Sequence, residues 1–120
     1  MSEEAIQQAV VQWMTLAHPA EAWMLHHSPN GGQRSAIVGA KLKAAGTRRG
    51  FPDLIFPQHR GPFAGLVLEL KAPGGRPTPE QLRWLEAFAA EGWHASVAVG
   101  LEAAIQTIQS YMEMPHGRAA

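Results

Sequence analysis

Two acidic residues and a lysine in the middle of the chain have the spacing of a catalytic site. Asp53 opens an apolar run over residues 53–56, and Glu69 and Lys71 close a second run over residues 63–71. The turn-like stretch between them, QHRGP, predicts an antiparallel hairpin. Asp53 and Glu69 are equally far in sequence from Gly61, and residues symmetric about a turn lie opposite each other. The two carboxylates are therefore expected to lie close together.

Strand alternation adds Lys71 to this pair, since residues two apart point to the same face of a strand. Two carboxylates at one point form a hard-oxygen site suited to Mg²⁺ or Mn²⁺, and a backbone carbonyl such as that of Leu70 could complete it. Such an ion stabilises charge on a phosphate and activates a bound water, and Lys71 beside it could stabilise the transition state. The chemistry predicted is phosphodiester hydrolysis. On spacing alone, a purely structural ion pair of Lys71 with Asp53 or Glu69 is equally favoured.

The elements that must position these residues follow from periodicity and caps. Ser35 is a candidate N-cap, and Thr78, Pro79 and Gln81 form the pattern of a capping box with proline at the first helical position. The predicted helices cover residues 3–17, 36–45, from Thr78 towards Gly92, and 101–112, and the predicted strands cover residues 21–27, 53–56, 63–71 and 94–99. The order αβαββαβα predicts a mixed α/β fold, with helices flanking one central mixed β-sheet.

Composition narrows the class of protein. The chain has 120 residues, of which 46% are hydrophobic, so we expect one folded domain over residues 1–120. It has no cysteine, which excludes disulfide scaffolds, cysteine zinc sites and cysteine nucleophiles. No apolar run is long enough to span a bilayer, and the N-terminus does not have the pattern of a signal peptide. We therefore expect a cytoplasmic protein that does not associate with membranes.

The net charge is zero, but the basic residues are unevenly placed. Asp53 is the only acid in a block that could form a phosphate-binding face or an ordinary solvated surface. The block contains Arg34, Lys41, Lys43, Arg48, Arg49 and Arg60.

The pattern Pro52-Asp53 followed by Glu69-Leu70-Lys71 resembles the PD-(D/E)XK nuclease motif. The surrounding stretches resemble the virus-type replication-repair nuclease family, VRR-NUC, of the stand-alone phage or bacterial type. The stretches that carry this resemblance are PNGGQR, GAKLKAAG, GFPDL, GLVLELK and TPEQLRW, within a likeness that runs from about residue 3 to residue 112. It implies a restriction-endonuclease-like core, with Asp53, Glu69 and the Leu70 carbonyl as metal ligands and Lys71 as the catalytic lysine.

The resemblance also implies roles for residues with equally good structural explanations. An acidic residue in the first helix, followed four residues later by Gln, matches Glu3 and Gln7, with Glu4 as a competitor for the metal-ligand role. Favouring the helix N-terminus explains both acids as well. Gln81 either completes the capping box or lies beside the active site, and the resemblance favours the active site.

Contact with DNA is predicted for six residues: Asn30, Arg34, Lys41, Lys43, Arg48 and Arg49. His26 and His27 point to opposite faces if they lie on a strand, so they cannot readily bind one metal, and they receive no role. The tryptophans and methionines are interpreted as core residues rather than platforms for base stacking.

The function predicted is a metal-dependent, structure-selective DNA endonuclease, similar to a Holliday junction resolvase and acting as a homodimer on branched DNA. The alternatives are a monomeric nuclease for flaps, nicks or single strands, and a DNA-binding module without catalysis.

Overall fold

A computed structural model describes residues 1–29 and 35–117. It contains four α-helices and four strands in this part of the chain. The helices are α1 (Glu3–Ala17), α2 (Ala36–Ala44), α3 (Pro79–Ala90) and α4 (Leu101–Met112); the strands are β1 (His26–His27), β2 (Leu54–Phe56), β3 (Leu66–Lys71) and β4 (His94–Val99). The predicted mixed α/β fold is confirmed.

The strands form one sheet in the order β1-β2-β3-β4. The first three are antiparallel neighbours, and β4 pairs with β3 in parallel after the crossover through α3. Leu54 faces Leu68 across the β2–β3 pair. Continuing this register by one residue places Asp53 opposite Glu69, so the symmetry about Gly61 predicted the register correctly.

One predicted strand is largely wrong. Residues 21–27 were expected to be extended, but Ala22–Met24 is a 3₁₀ turn and only His26–His27 is a strand. The backbone amides of Glu21 and Ala22 both donate to the carbonyl of His18. The chain therefore leaves α1 through consecutive tight turns, which override the strand propensity of this apolar run.

The main core lies between the sheet and two helices. Leu66, Leu68 and Leu70 of β3 pack in one cluster with α1 and α4. The residues contributed by these helices are Ile6, Val10 and Met14 of α1 and Ala104, Ile108, Tyr111 and Met112 of α4. No residue of α3 belongs to this cluster among the described residues, and α3 contacts β3 and β4 from the other side. All six residues of β3 are buried as a result.

The connection between β2 and β3 is fastened to the end of α4. The Arg60 guanidinium is buried and donates hydrogen bonds to the carbonyl oxygens of Met112 (2.7 Å) and Met114 (3.2 Å). The Tyr111 hydroxyl donates to the Gln58 carbonyl at 2.6 Å. Arg60 therefore caps carbonyls at and just beyond the end of α4 and does not belong to a basic surface, although it is a member of the basic block in sequence.

Two further features concern helices. α2 buries none of its residues against the rest of the described chain. In the described parts of the chain, no helix has the length and apolar character needed to cross a bilayer.

Candidate active site

Asp53 lies just before β2, where the register brings it to the end of β3. Its Oδ2 accepts a hydrogen bond of 2.7 Å from the backbone N–H of Leu70. Its own carbonyl accepts a hydrogen bond from the amide of Ser28 at 3.1 Å, which connects it to the segment after β1. The side chain is therefore held in place through one of its carboxylate oxygens.

Glu69 is the most deeply buried charged residue among those that the structure describes, with 1% of its surface exposed. Neither of its carboxylate oxygens has a hydrogen-bond partner among the described residues. Burial raises the pKa of Glu69 to about 8, and the nearby Asp53 carboxylate adds to the rise while Lys71 opposes it. A buried carboxylate without a hydrogen-bond partner is costly, so its presence here points to a ligand.

Lys71 lies at the end of β3 with 6% of its surface exposed. Its Nζ is 3.4 Å from Oε2 of Glu69 and 3.8 Å from Oε1 of Glu3. These are the only two salt bridges in residues 1–29 and 35–117. The ammonium group is thus held between two carboxylates that come from distant parts of the chain.

Glu3 completes a cluster of three acids. One carboxylate oxygen from each of Glu3, Asp53 and Glu69 lies within 4.8 Å of the others. Glu4, the competing residue in α1, lines the neighbouring cleft but does not belong to this cluster. Glu3 is at the first position of α1, after the N-cap Ser2, so the helix start directs it towards Lys71.

The residues fit a divalent cation. Three carboxylates offer hard oxygen donors, which Mg²⁺ and Mn²⁺ prefer. The Glu69 oxygens, which have no hydrogen-bond partner among the described residues, are the groups that such an ion would satisfy. β3 geometry also bears on the predicted Leu70 ligand, because the N–H and C=O of one strand residue point to the same edge. The N–H of Leu70 donates to Asp53, so the Leu70 carbonyl is directed to the same edge of the strand. Its role as a metal ligand stays a prediction.

A cleft of about 440 Å³ opens beside the acids. It is lined by Glu3, Glu4, Gln7, Gln8, His27, Pro29 and Asp53. Nδ1 of His27 is 3.0 Å from the Asp53 carbonyl oxygen, which can only accept, so this nitrogen carries the hydrogen. His26 is exposed, while its neighbour faces the cleft. The sequence interpretation gave His27 no role, although strand alternation could have placed one of the two histidines beside Asp53.

Gln81 is engaged in the cap of α3. Its side-chain Oε1 accepts a hydrogen bond from the backbone N–H of Thr78 at 2.8 Å, and its backbone N–H donates to the Thr78 hydroxyl at 3.2 Å. The capping box is therefore confirmed. A catalytic role for Gln81 would need the side chain to be shared, and it stays a prediction.

The six residues predicted to contact DNA fall into three groups. Arg48 and Arg49 line a groove of about 480 Å³, together with Glu80, Arg83, Trp84 and Ala87 of α3. Lys41 and Lys43 are exposed in the last turn of α2, and the predicted Asn30 and Arg34 lie outside the described residues. Sequence reasoning missed the contribution of Arg83, because the groove forms only when α3 docks.

The interpretation of the tryptophans as core residues is wrong for two of them. Trp23 is 81% exposed, and Trp84 is half-buried and lines the groove. Nothing in their spacing separates them from Trp13, which packs against the core.

Comparisons with known proteins agree with this geometry. A family model described as the VRR-NUC domain matches residues 1–101. A solved structure titled "VRR_NUC domain protein" is similar to this chain with a TM-score of 0.83 and 32% sequence identity, over 96% of this chain and 91% of that one. No curated protein is significantly similar in sequence.

Proposed function

Because the chain belongs to the VRR-NUC family of PD-(D/E)XK-type nucleases, we propose that it is a divalent-metal-dependent, structure-selective DNA endonuclease that cuts four-way junctions as a homodimer. One observation carries the catalytic part of this proposal. Three carboxylates and a lysine converge at one point. The most buried of the carboxylates, Glu69, has an ion pair with that lysine but no hydrogen-bond partner for either oxygen among the described residues.

The roles of the residues follow from the contacts. The carboxylates of Asp53, Glu69 and Glu3 would hold Mg²⁺ or Mn²⁺, with the Leu70 carbonyl as a further donor. When bound, the ion supplies positive charge at the scissile phosphate and lowers the pKa of water. Hydrolysis adds the water oxygen to phosphorus and breaks a phosphorus–oxygen ester bond, and the proton released by water balances the alkoxide that leaves.

Lys71 has a separate part in the chemistry. Its ammonium is held by Glu69 and Glu3, so it costs little reorganisation to present an N–H to a phosphate oxygen on which charge develops. Its positive charge also opposes the rise in the pKa of Glu69, which favours the ionised carboxylate that a metal needs.

The choice of junction DNA and of a dimer rests on symmetry and exposed surface. A four-way junction has two-fold symmetry and needs two paired cuts, which a two-fold dimer with two active sites supplies. Apolar side chains that a second copy could bury include Leu16, Trp23 and Ile37, which are 78%, 81% and 70% exposed.

The test is cleavage of labelled four-way junction, flap, nicked and linear duplex DNA with Mg²⁺, Mn²⁺ or EDTA. The native protein is compared with Lys71→Met, which keeps the aliphatic stem and removes the ammonium. We expect junction DNA to be cut fastest, and Lys71→Met to lose at least about a hundredfold in rate. Metal-dependent cutting with flap DNA as the best substrate would replace the resolvase assignment with that of a flap nuclease.

The oligomeric state is tested separately by sedimentation with and without junction DNA. A monomer under both conditions would contradict the homodimer. If the native protein binds DNA but cuts none of the substrates with either Mg²⁺ or Mn²⁺, catalysis itself is contradicted and the protein is a DNA-binding module.

A further inference from the structure

The groove on α3 is positively charged and built from two distant segments. Arg48 and Arg49 come from the loop after α2, and Arg83 comes from the middle of α3. Glu80 is the one acid that lines it. None of the three guanidinium groups forms a salt bridge with a described residue. Three arginines against one glutamate leave an excess of positive charge that faces the open groove.

The loop that carries two of these arginines is fastened to α3 at adjacent points. The indole Nε1 of Trp84 donates to the carbonyl of Arg49 at 3.1 Å. Gly50 has φ +86, and a Cβ there would come within 2.8 Å of the Glu80 carbonyl carbon. Only glycine permits this close approach of the loop backbone to the helix. The backbone that carries Arg48 and Arg49 is therefore held against α3 before any ligand binds, which lowers the entropy lost on binding.

The groove is also connected to the acidic cleft. A smaller cavity of about 260 Å³ shares Arg48 and Trp84 with the groove and is lined further by Ser28, Gly46, Thr47 and Phe51. Ser28 lies between His27 and Pro29, which line the acidic cleft, and its amide donates to the carbonyl of Asp53. The cleft that Glu3 and Asp53 line is thus a neighbour of the smaller cavity at Ser28 and Thr47, and that cavity adjoins the arginine groove.

We propose that Arg48, Arg49 and Arg83 bind the sugar-phosphate backbone of the DNA strand being cut, on one side of the scissile phosphate. The strand runs from the acidic cleft past Ser28 into the groove. This inference rests on the proposed nuclease function and adds to it a binding surface on α3, with Arg83 as a residue for which the sequence predicted no role.

The chemistry of the groove selects phosphate. Guanidinium groups offer paired N–H donors that match two phosphate oxygens. The indole N–H of Trp84 already donates to the Arg49 carbonyl, so Trp84 offers no donor with which to distinguish one base from another. The groove should therefore read backbone charge and not base sequence.

The test measures binding of fluorescent junction and duplex DNA by the full chain in EDTA, over a series of NaCl concentrations. Arg83→Gln should weaken binding about three- to tenfold and lower the slope of log Kd against log salt by about 1. Glu80→Gln removes the opposing charge from the same groove and should tighten binding. Glu86→Gln makes the same chemical change on an exposed position of α3 outside the groove and should change nothing.

A second measurement places the contact along the strand. Single phosphates on either side of the cut are replaced by neutral methylphosphonates. We expect the replacement to weaken native binding on one side only, and to have little effect there in Arg83→Gln. Thermal melts of the variants show that they are folded.

The outcomes separate this proposal from the one on which it rests. If the native protein cuts and binds DNA but Arg83→Gln keeps the same affinity and salt slope, the groove assignment is overturned and the nuclease stands. Equal effects of Glu80→Gln and Glu86→Gln would overturn it in the same way. A native protein that neither binds nor cuts DNA overturns both.

Discussion

The Asp53 carboxylate accepts a hydrogen bond from the backbone amide of Leu70 at 2.7 Å. This contact joins a predicted metal ligand to the strand that carries the other catalytic residues. It also fills a backbone donor near the end of β3, where β2 has no residue to pair with it. Asp53 therefore stabilises the end of β3 and at the same time contributes a carboxylate to the acidic cluster.

The double role of Asp53 predicts a difference between two inactive variants. Asp53→Asn keeps an oxygen that can accept from Leu70, whereas Asp53→Ala leaves this partly buried amide without its partner. We expect Asp53→Ala to unfold with a free energy about 1–3 kcal/mol lower than Asp53→Asn, measured in urea with EDTA. Both variants should lose metal-dependent cleavage. Equal stability of the two would mean that the hydrogen bond contributes nothing.

Glu69 predicts a conflict between activity and stability. Its pKa is raised to about 8 in the folded protein, mainly by burial, so the folded state binds the proton more tightly than the unfolded state. The stabilisation this gives is present below the unfolded pKa and is lost as the pH rises towards 8. Glu69→Gln cannot titrate and avoids this loss. Without metal, the melting temperature of Glu69→Gln should therefore rise relative to that of the native protein as the pH rises.

The control for this comparison is internal, because His94 and every other titrating group are common to both proteins. Parallel curves of melting temperature against pH would contradict the raised pKa. Glu69→Gln should be inactive at every pH, since an amide oxygen replaces the ionised ligand.

The same pKa predicts how metal binding depends on pH. The ion needs Glu69 ionised, so below pH about 8 binding must release its proton. We expect the affinity for Mg²⁺ or Mn²⁺ to rise about tenfold per pH unit and to level off above that pH. Calorimetry in two buffers of different ionisation enthalpy counts the protons released. An affinity independent of pH, with no proton released, would show that Glu69 is already ionised.

Arg60 predicts a purely structural effect. Its hydrogen bonds to the Met112 and Met114 carbonyls and to Gln58 hold the β2–β3 connection against the end of α4. Arg60→Met should lower the free energy of unfolding by about 2–3 kcal/mol, measured in urea. Below the melting transition it should leave the salt dependence of DNA binding unchanged. A reduced salt slope would instead place Arg60 on the DNA surface.

The convergence of Asp53, Glu69 and Lys71 could be predicted because its cause is local. Asp53 lies just before β2, Glu69 and Lys71 lie on β3, and the register of these two neighbouring strands follows from symmetry about Gly61. The capping box of α3 could be predicted for the same reason, since Thr78 and Gln81 are three residues apart.

The remaining features depend on contacts between distant segments, which spacing does not encode. The burial of Glu69 requires helices on both faces of the sheet, and the arginine groove requires α3 to dock on the loop at Gly50. The strand predicted at residues 21–27 was wrong for the opposite reason, because local hydrogen bonds overrode the composition of the run. There, an apolar run has strand composition, but hydrogen bonds to His18 determine its conformation.

The contact between Glu3 and Lys71 joins the first turn of the first helix to a strand in the second half of the chain. α1 reaches that place by packing on β3 and on α4, which is the last helix of the described chain. During synthesis, the hairpin with Asp53 and Glu69 can form by local closure, while α1 can pack on α4 only after that helix has been made. We therefore expect the third carboxylate to join the cluster later than the other two. A chain truncated before α4 is expected to carry the Pro52-Asp53 and Glu69-Leu70-Lys71 motif without the complete acidic cluster.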